Sequence, residues 1–146
     1  MRKIILALLA ALVLGGAAYA QSGFFVALSA GWPGAAVHVG VEDVIVEGLD
    51  ARLNVGYEYA GNFSIGLDAL YGLDVEIPDV PIDVYVGGGL GASFAGDFVI
   101  KALVGGSYGL DDLGVEGLSV FLELGPTYNF NSGINADARL GVAYGF

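Results

Sequence analysis

Residues 118–130 read LSVFLELGPTYNF and show the pattern that decides the fold. Large apolar side chains occupy alternate positions from Leu118 to Leu124, and the positions between them include Ser119 and Glu123. Successive side chains of a β-strand point to opposite faces of the sheet. An alternation with a period of two therefore predicts a strand with one apolar face and one polar face.

The same alternation recurs along the chain, interrupted by turns that contain Gly, Asn and Asp. No stretch after residue 21 has a convincing helical period. The pattern predicts eight strands at about residues 23–30, 35–42, 50–59, 62–72, 82–94, 97–109, 118–130 and 133–146. Short turns between consecutive strands favour antiparallel pairing, so the expected class is all-β with an up-and-down order of strands.

The two faces of these strands differ sharply in composition. One face is apolar and carries no charge. The opposite face is rich in glycine and carries every charged residue of the strand interiors: Arg52, Glu58, Asp68, Asp83, Lys101, Glu123, Asp137 and Arg139. A polar face turned to water should be dense in Lys, Glu and Thr, whereas glycine suits the crowded inside of a narrow cylinder. The apolar face must then meet lipid, which requires a sheet without edges. The sequence predicts an eight-stranded antiparallel transmembrane β-barrel.

Aromatic residues of the apolar face fall into two bands. Phe63 and Tyr71 are 8 residues apart, and Phe98 and Tyr108 are 10 residues apart. At ~3.3 Å per residue and ~40° tilt, these spacings give roughly 20 and 25 Å, close to the apolar band of outer-membrane barrels. We expect two aromatic girdles: Trp32, Tyr57, Tyr59, Phe63, Phe94, Phe98, Tyr128 and Phe130 at one level, and Phe24, Tyr71, Tyr108, Tyr144 and Phe146 at the other.

The first 20 residues have the composition of a secretory signal peptide. Arg2 and Lys3 precede an unbroken apolar run from Ile4 to Val13, and residues 18–20 read AYA, a small–x–small cleavage signal. The run is shorter than the ~20 residues of a membrane-spanning helix. We expect export of the chain and one barrel domain at residues 21–146.

Charge and cysteine content exclude several classes of function. Beyond the predicted leader, three basic residues face 16 acidic ones, a formal charge of −13. Nucleic-acid binding depends on neutralising phosphates and is not expected. The chain has no cysteine, which excludes disulfides, thiolate metal sites and a cysteine nucleophile.

The predicted connections alternate between short and long. Three long connections, near residues 42–47, 74–79 and 111–116, are acidic. Their spacing matches no defined Ca²⁺ or Mg²⁺ loop, so we interpret them as solvated turn charge and expect no metal or cofactor. Eight strands place both chain ends beside these connections. If that side is periplasmic, the short turns are extracellular, which inverts the usual pattern of outer-membrane barrels.

Three stretches resemble small bacterial outer-membrane barrels of the OmpA/OmpX type. Residues 139–146, RLGVAYGF, are similar to their C-terminal assembly signal, with Gly141, Tyr144 and Phe146 at the matching positions. Residues 84–91 look like their fifth strand, and residues 118–124 look like their seventh. The resemblance implies outer-membrane insertion by the barrel-assembly machinery after passage with periplasmic chaperones.

The inward positions predict a filled lumen. An eight-stranded barrel is just wide enough for side chains to fill it, and Phe25, Tyr85 and Phe121 are the bulky inward residues. Buried charges need partners, so we expect Arg52 to pair with Asp68 and Glu123 to pair with Arg139. The full set of candidates for lumen ion pairs is Arg52, Asp68, Lys101, Glu123, Asp137 and Arg139.

These features favour a structural role over catalysis. His38 is the only histidine, and the sequence places neither Ser29 nor Ser64 beside it with an orienting acid, so no enzyme is expected. We expect a monomeric outer-membrane barrel that contacts lipid, has no open pore and contributes to envelope integrity. Two alternatives stay open: a soluble periplasmic barrel that carries an apolar ligand, and a narrow ion-conducting barrel.

Overall fold

A computed structural model of the protein describes residues 23–75, 78 and 80–146. The predicted leader lies outside the described residues. The chain forms a closed barrel in which every neighbouring pair of strands is antiparallel. The strands are β1 (Phe24–Trp32), β2 (Gly34–Val41), β3 (Leu49–Glu58), β4 (Phe63–Leu73), β5 (Ile82–Ser93), β6 (Phe98–Gly109), β7 (Leu118–Asn129) and β8 (Gly133–Gly145).

The predicted class, an eight-stranded antiparallel up-and-down barrel, is confirmed, and each strand end lies within two residues of its predicted position. The largest difference is at the end of β1. Its pairing with β2 stops at Ala30, but Gly31 and Trp32 continue to pair with Arg139 and Ala138 of β8. The staggered closure of the barrel thus lengthens β1 beyond its hairpin.

The barrel has two unlike ends. At the short-turn end, β1 and β2 are separated by Pro33 alone, and the other turns are residues 59–62, 94–97 and 130–132. At the opposite end, which we call the acidic end, lie the connections 42–48, 74–81 and 110–117, and the third of these includes a 3₁₀ turn at Asp111–Leu113. The described carboxylates of these connections are Glu42, Asp43, Glu47, Asp74, Asp111, Asp112 and Glu116.

The distribution of side chains is the reverse of that in a water-soluble protein. The buried apolar residues are small in number: Ala27, Ala36, Leu70 and Phe121. The buried polar ones are Ser29, His38, Arg52, Asn54, Asp68 and Glu123. Large apolar side chains face outward instead, and Leu67, Leu122 and Leu140 are 58, 49 and 65% exposed. Soluble proteins almost never bury Arg, Asp and Glu while leaving this much Leu and Ile outside.

Inward glycines make room for inward aromatic rings. Tyr85 of β5 lies opposite Gly105 of β6, and a Cβ built on Gly105 would be 2.4 Å from the Tyr85 ring. The same relation joins Phe25 to Gly40. Each ring lies over the glycine on the next strand. The ring therefore fills the narrow lumen in the space that a side chain at the glycine position would occupy.

Replacement of Gly105 by Ala should lower the free energy of unfolding by about 1–3 kcal/mol, because the new methyl group overlaps the ring of Tyr85. Urea titration of the folded barrel measures this cost. The matched control is Gly91→Ala, where the nearest atom to the new Cβ is 3.5 Å away. In a Tyr85→Ala background, Gly105→Ala should become nearly neutral, and an unchanged cost there would contradict the packing account.

Candidate functional site in the lumen

A cluster of polar side chains occupies the middle of the lumen. We call it the central cluster, and its members are Ser29, His38, Arg52, Asn54, Asp68, Tyr85, Lys101 and Glu123. Each of the strands β1 to β7 contributes at least one of them. All of these side chains point inward, because they occupy the strand positions that alternate with those of the apolar face. The cluster is the largest group of convergent polar side chains among the described residues.

Arg52 is the centre of this cluster. Its Nη2 lies 2.8 Å from Oδ2 of Asp68, on the neighbouring strand. Its Nη1 and Nη2 donate to Oε1 and Oε2 of Glu123 at 2.5 and 3.0 Å, in a bidentate contact. The three residues are only 2, 1 and 4% exposed. Because Glu123 lies on β7, the guanidinium links two opposite walls of the barrel with charge-assisted hydrogen bonds.

A glycine allows the second ion pair to form. Lys101 of β6 places its Nζ 2.8 Å from Oδ1 of Asp68 on β4, across the intervening strand β5. Gly89 of β5 lies opposite both residues. A Cβ on Gly89 would be 2.1 Å from Asp68 Oδ1 and 2.9 Å from Lys101 Cε, so any side chain there would separate the pair.

Every cation of the lumen among the described residues is paired with a carboxylate. Arg139 and Asp137 form a further ion pair at 2.6 Å, with side chains 17 and 13% exposed. Three cations and three carboxylates are therefore paired inside the barrel, and the three cations are all the basic residues beyond residue 3. Pairing of this kind offsets the large cost of removing charges from water.

The predicted lumen residues form ion pairs in the structure, but one of the two expected pairs is replaced by different partners. Arg52 lies against Asp68, as expected. Glu123 and Arg139 are directly opposite in the β7–β8 register, yet their side chains do not form the expected ion pair. Arg52 reaches across the lumen and takes both oxygens of Glu123, and Arg139 turns to Asp137, two residues away on the same face of β8.

A hydrogen-bonded chain continues from the ion pairs to β1. Ser29 Oγ lies 2.7 Å from His38 Nε2, and His38 Nδ1 contacts Oδ1 of Asn54. An amide oxygen only accepts hydrogen bonds, so Nδ1 carries the proton and Nε2 accepts from the serine. Asn54 Nδ2 in turn donates to Asp68 Oδ2 at 2.7 Å.

The sequence analysis did not predict this series of hydrogen bonds or the role of Asn54 in it. His38 is directly opposite Asn54 in the β2–β3 register, but Ala27, not Ser29, is opposite His38. Alternation shows that these side chains face inward, whereas the register across the long connection 42–48 is not readable from the sequence. Ser64 lies elsewhere, at the cavity of the short-turn end.

The order Ser–His–Asn matches the hydrogen-bonding order of a hydrolase triad, and all three side chains are buried. Ser29, His38 and Asn54 are 6, 0 and 5% exposed, and the ring of Phe121 meets that of His38 edge-on at 6.2 Å. Ser29 is also paired on both sides, with β2 and β8.

Two cavities lie above and below the central cluster. One, of about 270 Å³, opens at the short-turn end and is lined by Asn54, Lys101 and Arg139 among others. The second, of about 440 Å³, opens at the acidic end and is lined by Arg52 and by Phe25, Tyr85 and Phe121. His38, Asp68 and Glu123 line neither cavity.

The outward aromatic residues lie near the two ends of the strands. At the short-turn end, Tyr57 is opposite Phe63 with ring centroids 5.0 Å apart, and Phe98 and Phe130 are 5.5 Å apart. At the acidic end, Phe146 contacts Phe24 at 5.9 Å and Tyr144 at 5.0 Å. The other girdle candidates lie at the same two levels: Trp32, Tyr59, Phe94 and Tyr128 at the first, and Tyr71 and Tyr108 at the second.

Comparisons with known proteins give one line of evidence, at the level of the fold. No family model matches the chain, and no curated protein matches it. A solved structure from the de novo design of transmembrane beta-barrels is similar, with a TM-score of 0.64 and 17% identity over 86% of this chain and 96% of that one. At this identity the likeness concerns the fold, and it agrees with the closed barrel described above.

No helix among the described residues is long and apolar enough to cross a membrane. No group of three or more His, Asp or Glu side chains in the described part of the chain is placed to hold one metal ion.

Removal of the Arg52 guanidinium should destabilise the barrel strongly. Arg52→Met leaves Glu123 without its cation and Asp68 with Lys101 alone, and the expected loss is about 3–5 kcal/mol in the free energy of unfolding. Arg139→Met is the matched control, because its ion pair is single and more exposed, and it should cost about 1–2 kcal/mol. Equal losses in the two variants, measured by urea titration, would contradict the central role of Arg52.

Proposed function

We propose that the protein is an integral membrane β-barrel whose outer face is solvated by lipid. The main support for this proposal is the distribution of side chains, which places apolar residues outside and charged residues inside. Leu67, Leu122 and Leu140 are about half or more exposed, while Arg52, Asp68 and Glu123 are buried. Burial of apolar surface contributes about 25 cal/mol per Å², so a belt of this composition is stable against acyl chains and unfavourable in water. Closure of the barrel pairs the strand edges, as a membrane requires.

The aromatic residues support the same environment. Tyr and Trp rings are favoured where an apolar core meets polar headgroups. The outward rings of this barrel lie at the two ends of the strands and leave mainly aliphatic side chains between them, such as Ile100, Val104 and Leu122. This order along the strands is typical of transmembrane barrels.

The proposed location is the outer membrane of a bacterial cell envelope. The predicted leader and the resemblance of residues 139–146 to an assembly signal support export, contact with periplasmic chaperones and insertion by the barrel-assembly machinery. The acidic end would then lie in the periplasm. Cell fractionation tests this location: outer-membrane recovery with a gel-mobility shift on boiling supports it, and release in osmotic-shock fluid supports the soluble-carrier alternative.

We further propose a structural, non-catalytic role for the monomer in envelope integrity and lipid packing. The paired charges of the central cluster, which lie between the two cavities, favour a closed lumen. The burial of Ser29 and His38 argues against a nucleophile that substrates can reach. No cofactor is needed for such a role.

Leu122→Arg should separate the membrane proposal from the soluble alternative. Leu122 is at the middle of β7, so in vesicles the charge should cost about 2–4 kcal/mol of stability. In a water-soluble barrel, the same change at a side chain that is 49% exposed would cost about 0.5 kcal/mol or less. Leu113→Arg is the control, since Leu113 is 72% exposed in an acidic-end connection and should be neutral in both cases.

The closed lumen predicts an absence of stable conductance. Purified monomer in a planar lipid bilayer should give no reproducible unitary current steps, because Arg52, Glu123 and Asp68 bridge the lumen from wall to wall. Reproducible steps from the monomer would favour the ion-conducting alternative over a closed structural barrel.

A further inference from the structure

The cavity at the acidic end has an apolar floor. Its volume is about 440 Å³, within the range of roughly 300–1,000 Å³ typical of small-molecule sites. Three aromatic rings line it, those of Phe25, Tyr85 and Phe121, together with Ala27 and Leu70. Phe121, Ala27 and Leu70 are buried, and the ring of Phe121 meets that of His38 in the central cluster. This lining suits the apolar or aromatic body of a small ligand.

The mouth of the same cavity is negatively charged. Glu42, Asp50, Asp83 and Asp111 line it, and none of them takes part in an ion pair among the described residues. The pKa of the Glu42 carboxyl is raised above its ordinary value, mainly because the group is partly desolvated. Repulsion from Asp50 and Asp43 raises it further. The mouth therefore concentrates negative charge that the protein itself does not neutralise.

The positive charge nearest to this cavity does not cancel that field. Arg52 lines the cavity, but its guanidinium is held by Asp68 and Glu123. Lys101 and Arg139 line the cavity at the opposite end. A cleft with one sign of charge and walls of low dielectric constant focuses the field and attracts the opposite charge.

The ligand class follows from these two parts. The carboxylates surround the opening and do not converge as a metal site among the described residues, which favours a cation larger than a metal ion. We propose that this cavity, the acidic vestibule, binds small organic cations with an apolar body, such as arylalkylammonium ions. The ammonium group lies among the mouth carboxylates, and the apolar body packs on the rings of Phe25, Tyr85 and Phe121. This binding does not depend on insertion in a membrane.

The test is a titration of the folded protein in non-ionic detergent with benzyltrimethylammonium, followed by calorimetry or NMR. Saturable binding is expected. Tetramethylammonium, which lacks the aromatic body, should bind at least tenfold more weakly, and benzylsulfonate, which has the opposite charge, should show no saturable binding. Absence of saturable binding of benzyltrimethylammonium, or equal binding of benzylsulfonate, would overturn the proposal.

Two double variants with the same change in net charge locate the site. Asp50→Asn with Asp83→Asn removes two carboxylates of the mouth and should weaken binding about tenfold or more. Glu47→Gln with Glu116→Gln removes two carboxylates of the same end that do not line the cavity, and should change the affinity less than about twofold. The gel-mobility shift on boiling verifies that each variant is folded. Equal weakening in both would assign the binding to diffuse charge and overturn the vestibule as the site.

Discussion

In a closed barrel of β-strands, each side chain points either into the lumen or to the outer surface. Strand geometry imposes this choice, because successive residues point to opposite faces. The sequence sorts its large apolar residues onto one parity and its charged and glycine residues onto the other. Ring closure between β1 and β8 then makes the sorting global, so that one surface of the whole molecule is apolar and the other is polar.

The lumen is too narrow to hold a large side chain at every inward position. Glycine at some of these positions provides space in two ways. Gly105 leaves space for the ring of Tyr85 on the neighbouring strand. Gly89 leaves space for Lys101 to reach Asp68 across a whole strand. In this way the interior holds three ion pairs around Arg52 and Asp68 and a further pair at Arg139, with every cation matched by a carboxylate. A charged interior is stable only when its charges are paired in this manner.

Much of the architecture was predictable from the sequence because it depends on local alternation. The strand positions and the inward direction of Arg52, Asp68 and Glu123 follow from parity alone. The partner of Glu123 did not follow, because Arg52 reaches it from the opposite wall, 71 residues away in the chain. The chain from Ser29 through His38 to Asn54 was also missed, since it depends on a diagonal contact and on a register set by a long connection. The acidic vestibule was not predicted, because its lining combines residues of two connections, 42–48 and 110–117, with side chains from several strands around the barrel.

Site-directed spin labelling along β7 tests the central claim most directly. The chain has no native cysteine, so single cysteines at residues 119–125 each give one labelled site. In lipid vesicles, collision rates with oxygen, which concentrates in the bilayer, should be high at positions 120, 122 and 124 and low at 119, 121 and 123. Collision rates with a water-soluble nickel chelate should be low at the three outward positions. High accessibility to the nickel chelate at positions 120, 122 and 124 would show that the apolar face meets water and would contradict the account.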